Sequence, residues 1–100
     1  MLELYQTEWC PASKRVRQRL TELGLDAIVH QVSVERSARA GLVEVTGSDT
    51  IPALVCGRDV FVGEDAIAEY LATYDEPPEA LAHRLKAEKA RQRELEEALR

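Results

Sequence analysis

The chain has 100 residues, 45% of them hydrophobic, which suits one small domain with a modest core. Its net charge of −5 at pH 7 and the lack of a basic footprint argue against nucleic-acid binding. The apolar runs are too short to cross a membrane, and two cysteines do not make a disulfide framework.

The N-terminal segment combines apolar residues with an acidic residue and has no basic stretch before them. We therefore expect no signal peptide and a cytoplasmic location. Leu2–Tyr5 is predicted to form the first strand.

The stretch Trp9-Cys10-Pro11-Ala12-Ser13 lies where this strand gives way to a helix. Pro11 suits the first helical position, because its missing N–H would be unpaired there, and Cys10 then becomes the N-cap. The helix N–H groups and dipole favour a thiolate at that position, and Ser13 can donate one more hydrogen bond. Since Ser13 cannot form a disulfide, the stretch predicts one reactive thiol without a resolving cysteine. The alternative is an inert structural cysteine.

The segment after Cys10 has an apolar stripe at helical spacing, so we predict a helix that ends at Gly24. The stripe consists of Ala12, Val16, Leu20 and Leu23, and the basic residues interpreted as a solvated face are Lys14, Arg15, Arg17 and Arg19. The β-branched segment 27–34 predicts a second strand, parallel to the first through a right-handed crossover.

The middle of the chain predicts a helix over 36–46, a hairpin of strands 53–56 and 60–62, and a helix over 64–73. The order is βαβαββα, and we assign residues 1–75 to one domain.

A break at residues 74–78, with two prolines, precedes a segment of good helix formers. Residues 76–100 are therefore predicted to be a long C-terminal helical extension. Its possible seam contains Leu81, Leu85, Leu95 and Leu99, interrupted by Glu88 and Gln92. A continuous coiled coil would not place both polar residues there.

We expect Leu81 and Leu85 to fold back on the preceding helix, and the second half of the tail to pack on a partner. The simplest partner is a second copy related by a two-fold axis, which would make a homodimer. The alternative is a helix held by its own domain alone.

Three motifs, in order along the chain, resemble the glutaredoxin family and the N-terminal domain of glutathione S-transferases. The first is similar to the Cys-Pro-x-Cys and Cys-Pro-x-Ser motifs, the second to Thr-Val-Pro with its cis proline, and the third to Gly-Gly with a following acidic or polar pair. The resemblance implies an α/β, thioredoxin-like fold with a mixed four-stranded sheet over residues 1–75. The motifs are Cys10-Pro11-Ala12-Ser13, Thr50-Ile51-Pro52 and Gly63-Glu64-Asp65.

The resemblance also implies how glutathione binds. The backbone of Ile51 pairs with the backbone of the tripeptide, as in strand addition. The N–H groups at the start of the next helix hold the γ-glutamyl carboxylate, and an acidic side chain, Glu64 or Asp65, pairs with the ammonium. The alternative is that both carboxylates only complement the helix dipole.

The implied function is that of a glutathione-dependent thiol–disulfide oxidoreductase. It removes glutathione from glutathionylated proteins through Cys10, with glutathione or another low-molecular-weight thiol as the cofactor. The rival is a non-catalytic module of the same fold that binds glutathione or a protein.

The sequence departs from the family in several places. Thr7 occupies the place of a lysine that pairs with a glutathione carboxylate, and Arg36 or Arg39 is the alternative cation, a solvated role being equally open. Thr7, Pro11 and Ala12 count against an iron–sulfur cluster. The histidines lack ligand spacing with either cysteine, so we expect no metal site. Residues 76–100 are too few to build a separate pocket for an electrophile.

Overall fold

The computed structural model describes residues 1–100 and contains one mixed sheet of four strands. The spatial order is β2-β1-β3-β4. β1 runs parallel to β2 and antiparallel to β3, and β3 and β4 form the predicted hairpin. The strands are β1 (Leu2–Gln6), β2 (Ala27–Gln31), β3 (Ala53–Cys56) and β4 (Asp59–Val62).

Four α-helices connect or follow these strands, and none is both long and apolar enough to span a membrane. The first ends as predicted at Gly24, whose left-handed backbone (φ 67°) lets its N–H reach the carbonyls of Leu20 and Thr21. The helices are α1 (Pro11–Leu23), α2 (Ala40–Thr46), α3 (Glu64–Leu71) and α4 (Ala80–Ala98).

The core lies between the sheet and the pair of helices α1 and α3. Leucines of β1 and β3 meet one apolar stripe from each helix, which is the arrangement that the helical spacing predicts. The buried cluster consists of Leu2, Leu4, Val16, Leu20, Leu23, Leu54, Ile67 and Leu71.

The segment between β2 and α2 differs from the prediction. The strand predicted over 27–34 stops at Gln31, because β1 ends at Gln6 and offers no further partner after the bond from Val32 N–H to the Gln6 carbonyl. The helix predicted over 36–46 is divided into a 3-10 turn, Arg36–Ala38, and α2.

Arg39 lies at this division and explains it. Its guanidinium is buried and donates to the carbonyls of Ser33 (2.8 Å), Asp49 (2.8 Å) and Val34 (3.4 Å). The side chain therefore holds two loops together, and the carbonyls that would continue a strand are satisfied by Arg39 instead.

The C-terminal helix packs on α1, with Ala80 buried. Arg84 of α4 forms ion pairs with Glu76 (2.9 Å) and with Glu22 of α1 (3.5 Å). The prediction that Leu81 and Leu85 fold back on the preceding helix is wrong, because both are at least half exposed. Small residues and an arginine make the contact with α1, and the leucines lie on another side of the helix.

We predict that Arg39→Ala lowers the free energy of unfolding by about 1.5–3 kcal/mol, the usual range for a hydrogen bond to a charged group. The carbonyls of Ser33 and Asp49 would lose their donor. Chemical denaturation followed by circular dichroism measures the change. Arg36→Ala is the matched control, since Arg36 is exposed and pairs only with Asp49. Equal losses in the two variants would contradict the structural role of Arg39.

Candidate active site

Cys10 is the N-cap of α1, and Pro11 occupies the first helical position, as predicted. The half-buried sulfur accepts a hydrogen bond from the N–H of Ser13 at 3.4 Å. The Cys10 carbonyl accepts the N–H of Lys14 at 3.0 Å and thereby starts the helical ladder. The thiol therefore stands in the positive field of the helix start.

The surroundings of Cys10 act on its pKa in opposite directions. Burial is the largest single influence and raises it, but four weaker influences together lower the pKa of the Cys10 thiol below its ordinary value. These are the Ser13 hydroxyl, the N–H groups of Ser13 and Ala12, and the charge of Arg15. The arrangement favours the thiolate, which is the nucleophilic form of cysteine.

The Ser13 hydroxyl is fully buried and makes no hydrogen bond of ordinary geometry to any group of the protein. It is therefore not committed to another acceptor and is free to turn toward the Cys10 sulfur. A buried, unpaired hydroxyl is costly, and a thiolate beside it would remove that cost.

Thr7 organises the loop before the thiol. Its carbonyl accepts the N–H of Cys10 at 3.3 Å, and its hydroxyl oxygen accepts the N–H of Trp9 at 3.4 Å. The residue is buried and carries no charge, while the Trp9 side chain is 82% exposed next to the thiol. Thr7 thus supports the loop and supplies no cation to a ligand.

The second motif, Thr50–Pro52, contains a cis peptide bond between Ile51 and Pro52. Neither the N–H nor the C=O of Ile51 forms a hydrogen bond within the protein. The carbonyl of Pro52 accepts the N–H of Gly63 at 2.8 Å, which ties this loop to the start of α3. The second and third motifs are therefore adjacent, and the backbone groups of Ile51 remain available to a ligand.

The two carboxylates of the third motif differ in their surroundings. Both lie in the first turn of α3. Glu64 is paired with Arg15, whose Nε lies 2.7 Å from one carboxylate oxygen and 3.0 Å from the other. Asp65 is exposed and forms no ion pair. Asp65 is thus the carboxylate free to meet a ligand ammonium.

Arg15 is a residue of this site that the sequence reasoning missed. It belonged to a basic set interpreted as a solvated face, yet it pairs with Glu64 and stabilises the Cys10 thiolate. Two other members of that set are also paired, Arg17 with Glu8 and Arg19 with Glu76. The helical spacing of Arg15 could have identified it, since this spacing places Arg15 on the face of α1 that packs on α3.

The alternative cations proposed from the sequence are already engaged. Arg39 is bound to backbone carbonyls, and Arg36 pairs with Asp49 at 2.8 Å, a hydrogen bond that lowers the pKa of the Asp49 carboxyl. Neither is a free cation near the thiol. No group of three His, Cys, Asp or Glu side chains is arranged to hold a metal ion.

A small cavity lies between α1 and α3 beneath the Arg15–Glu64 pair. Its volume is about 150 Å³, below the roughly 300 Å³ at which ligand pockets usually begin, and Cys10 does not line it. A ligand of the thiol would therefore lie along the open surface between the three motifs.

The second cysteine lies at the far end of the sheet. Cys56 pairs with Leu2 at the start of β1, whereas Cys10 follows the end of that strand. The sulfur of Cys56 accepts a hydrogen bond from the Tyr70 hydroxyl at 3.4 Å. Its hydrogen bonds with Cys56 and Tyr74 raise the pKa of Tyr70. Cys56 thus has a structural environment and cannot reach Cys10.

The sequence profile of the family described as Glutaredoxin matches residues 2–62. The chain belongs to the glutaredoxin family. The solved buckwheat glutaredoxin–glutathione complex superposes with a TM-score of 0.60 at 23% identity, covering 72% of this chain and 68% of that one. The predicted thioredoxin-like fold is confirmed.

Glutathione S-transferases are also among the structural relatives of this glutaredoxin-family chain. A possible transferase from Rhodopseudomonas palustris has a TM-score of 0.63 at 24% identity, covering 72% of this chain and 39% of that one. A transferase domain-containing protein from Marinobacter aquaeolei VT8 also has a TM-score of 0.63, at 27% identity, with coverage of 75% and 40%. The chain thus spans about two fifths of these transferases. No curated protein matches it.

We predict that Cys10 titrates below the free-thiol pKa of about 8.5 and that Ser13→Ala raises its pKa, because one hydrogen-bond donor to the thiolate is lost. The rate of alkylation by iodoacetamide as a function of pH, measured in a Cys56→Ser background, reports the pKa of Cys10 alone. Ser37→Ala, at an exposed serine, is the control and should leave the curve unchanged. A Cys10 pKa at the free-thiol value, or a pKa that Ser13→Ala does not change, would contradict the stabilisation of the thiolate at this site.

Proposed function

We propose that this glutaredoxin-family protein is a glutathione-dependent thiol–disulfide oxidoreductase of the single-cysteine type. Its partners are glutathione and glutathionylated proteins of the cytoplasm. The supporting observation is a half-buried cysteine at a helix N-cap, with its pKa lowered and no second thiol within reach. Residues 1–75 are proposed to carry the whole reaction.

In the first step the Cys10 thiolate attacks the glutathione sulfur of a mixed disulfide R–S–SG. The S–S bond between the substrate sulfur and the glutathione sulfur breaks, a Cys10–S–SG disulfide forms, and the protein thiolate RS⁻ leaves and takes a proton from solvent. The substrate sulfur gains the electron pair of the broken bond. The thiolate favoured at the N-cap is the attacking group, and the same stabilisation makes Cys10 a good leaving group later.

In the second step the thiolate of another glutathione attacks the glutathione sulfur of Cys10–S–SG. Oxidised glutathione, GSSG, is released, and the Cys10 thiolate is regenerated. The net reaction converts R–S–SG and GSH into R–SH and GSSG, so the protein thiol is reduced and glutathione is oxidised by two electrons. Ser13 stabilises the thiolate in both steps but cannot resolve the disulfide.

Glutathione is proposed to lie along the surface between the three motifs. The free N–H and C=O of Ile51 would pair with its backbone, beside Pro52 and Thr50. The N–H groups at the start of α3 would hold the γ-glutamyl carboxylate, and Asp65 would pair with the ammonium. Glu64 is already balanced by Arg15, so it is assigned the weaker contribution.

The rival function is a non-catalytic module that binds glutathione or a protein. Two observations favour it: Thr7 supplies no cation for a glutathione carboxylate, and Trp9 is an exposed aromatic surface beside the thiol. In that case the module would bind glutathione or a protein beside Cys10 and would not catalyse thiol–disulfide exchange.

An exchange assay separates the two functions. The full chain is mixed with a glutathionylated peptide and glutathione, and formation of GSSG is followed through NADPH consumption by glutathione reductase. We expect turnover by the wild-type chain and by Cys56→Ser, and a rate equal to the uncatalysed reaction for Cys10→Ser. Absence of wild-type turnover would favour the binding module. If Cys56→Ser loses turnover to the same extent as Cys10→Ser, the single-cysteine mechanism is contradicted.

We predict that Asp65→Asn weakens binding of S-methylglutathione about tenfold or more, the loss that corresponds to one charge-assisted hydrogen bond. S-methylglutathione is used because it cannot exchange with Cys10. Titration calorimetry measures the affinity. Glu64→Gln should have a smaller effect, because Arg15 already holds that carboxylate.

Glu69→Gln is the matched control for these variants. It removes the same charge from an exposed position of α3, beyond the first turn of the helix. If Asp65→Asn and Glu69→Gln lower the affinity equally, Asp65 acts only through net charge. If Asp65→Asn leaves the affinity unchanged, Asp65 only caps the helix.

A further inference from the structure

The C-terminal helix α4 presents a stripe that the domain leaves uncovered. Six positions spaced four, three, four, three and four residues apart lie on one side of it, which is the heptad spacing of a coiled-coil seam, and the last of them, Leu99, is the C-cap that follows the helix. The four leucines of this stripe are between 50% and 80% exposed. The stripe, here called the α4 seam, consists of Leu81, Leu85, Glu88, Gln92, Leu95 and Leu99.

The leucines of the α4 seam lie away from the surface by which α4 contacts its own domain, and Glu88 lies at the edge between the two, in the groove that also contains Gln18 and Glu22. Ala80 is buried, Arg84 reaches Glu22 and Glu76, and Ala87 lies over Gln18 and Glu22 of α1. At 100° of rotation per residue, the seam is turned about 100° around the helix from these contacts. A second helix can therefore lie along the seam without displacing α4 from α1.

The order of residue types in the seam is the same from either end. Read forward or backward it is two leucines, two polar residues and two leucines, symmetric about the level of residue 90. A two-fold axis at that level, perpendicular to the helix, superposes the seam on the seam of an antiparallel second copy. Leu81 then faces the second copy's Leu99, and Leu85 faces its Leu95, so that each chain contributes to four leucine pairs.

The polar centre selects the antiparallel direction. In a parallel pair in register, Glu88 would face Glu88, and two carboxylates would repel each other at the interface. In the antiparallel pair, Glu88 faces the second copy's Gln92, whose amide donates to a carboxylate, and Arg91 beside it adds an opposite charge. The two residues that interrupt the apolar seam thus become partners of each other.

We propose that the α4 seam is a homodimerisation surface, on which a second copy of this chain packs antiparallel about a two-fold axis at the level of residue 90. The proposal does not depend on the oxidoreductase function. The contacts between α4 and α1 involve Gln18 and Glu22, which lie more than two helical turns beyond Cys10. The Cys10 thiol of each copy therefore stays accessible in the dimer. The orientation is encoded in the palindromic seam, as polar seam positions encode register in other coiled coils.

Sedimentation velocity of the full chain at tens of micromolar tests the dimer and its direction. We expect a dimer for the wild type. Leu85→Lys and Leu95→Glu, made singly, should each raise the dimer dissociation constant about tenfold or more, because each places an unpaired charge against leucine. Combined in one chain, they should restore much of the affinity. The antiparallel pair brings the introduced lysine against the introduced glutamate, whereas a parallel pair would bring like charges together.

Glu97→Lys is the control, because position 97 lies about 160° around the helix from the seam. It changes the charge by two and should leave the dimer unchanged. Circular dichroism of each variant verifies that α4 remains helical. A monomeric wild type overturns the proposal, as does a combined variant no tighter than the single ones, or a control that dissociates as they do.

Discussion

The N-cap at Cys10 is the contact around which the rest of the structure is arranged. A helix start leaves unpaired N–H groups, and here the side chain that accepts one of them is a thiol rather than the usual hydroxyl or carboxylate. β1 delivers the residue, Pro11 fixes the helix start, and the Thr7 carbonyl holds the Cys10 N–H. The Cys10 sulfur therefore has two roles. It is the acceptor that the start of α1 needs, and it is the thiolate that an exchange reaction needs.

A second constraint connects the remaining parts of the site. The hydrogen bond from Gly63 N–H to the Pro52 carbonyl joins the loop before β3 to the start of α3. Arg15 then joins α3 to α1 through Glu64 and adds positive charge near Cys10. Two contacts thus link the three motifs, although 49 residues separate the first from the last. In the proposed reaction, backbone groups rather than cations would supply most of the recognition of glutathione.

The parts of the fold that could be predicted are those decided by local chemistry. Pro11 and Gly24 mark the two ends of α1 because one lacks an N–H and the other tolerates a left-handed backbone. The cysteine environment followed from the same reasoning. The family motifs predicted the cis bond before Pro52, which the structure contains.

The parts that failed depend on distant partners. The segment 32–34 has the composition of a strand but no neighbour once β1 ends, and Arg39 takes its carbonyls. Leu81 and Leu85 are predicted to pack on the domain because they stand four residues apart and closely follow the Pro77-Pro78 break, whereas Ala80 and Arg84 make the contact with the domain. Periodicity shows which residues share a face but not which face meets the domain.

The central claim, that Cys10 alone carries the exchange, can be tested by trapping the intermediate. The wild-type chain is incubated with oxidised glutathione, quenched with acid and digested. The masses of the two cysteine-containing peptides are then measured by mass spectrometry. We expect one glutathionyl group, on the Cys10 peptide, and none on the Cys56 peptide in the folded protein. A glutathionyl group on Cys56, a Cys10–Cys56 disulfide, or a Cys10 peptide without an adduct would contradict exchange through Cys10 alone.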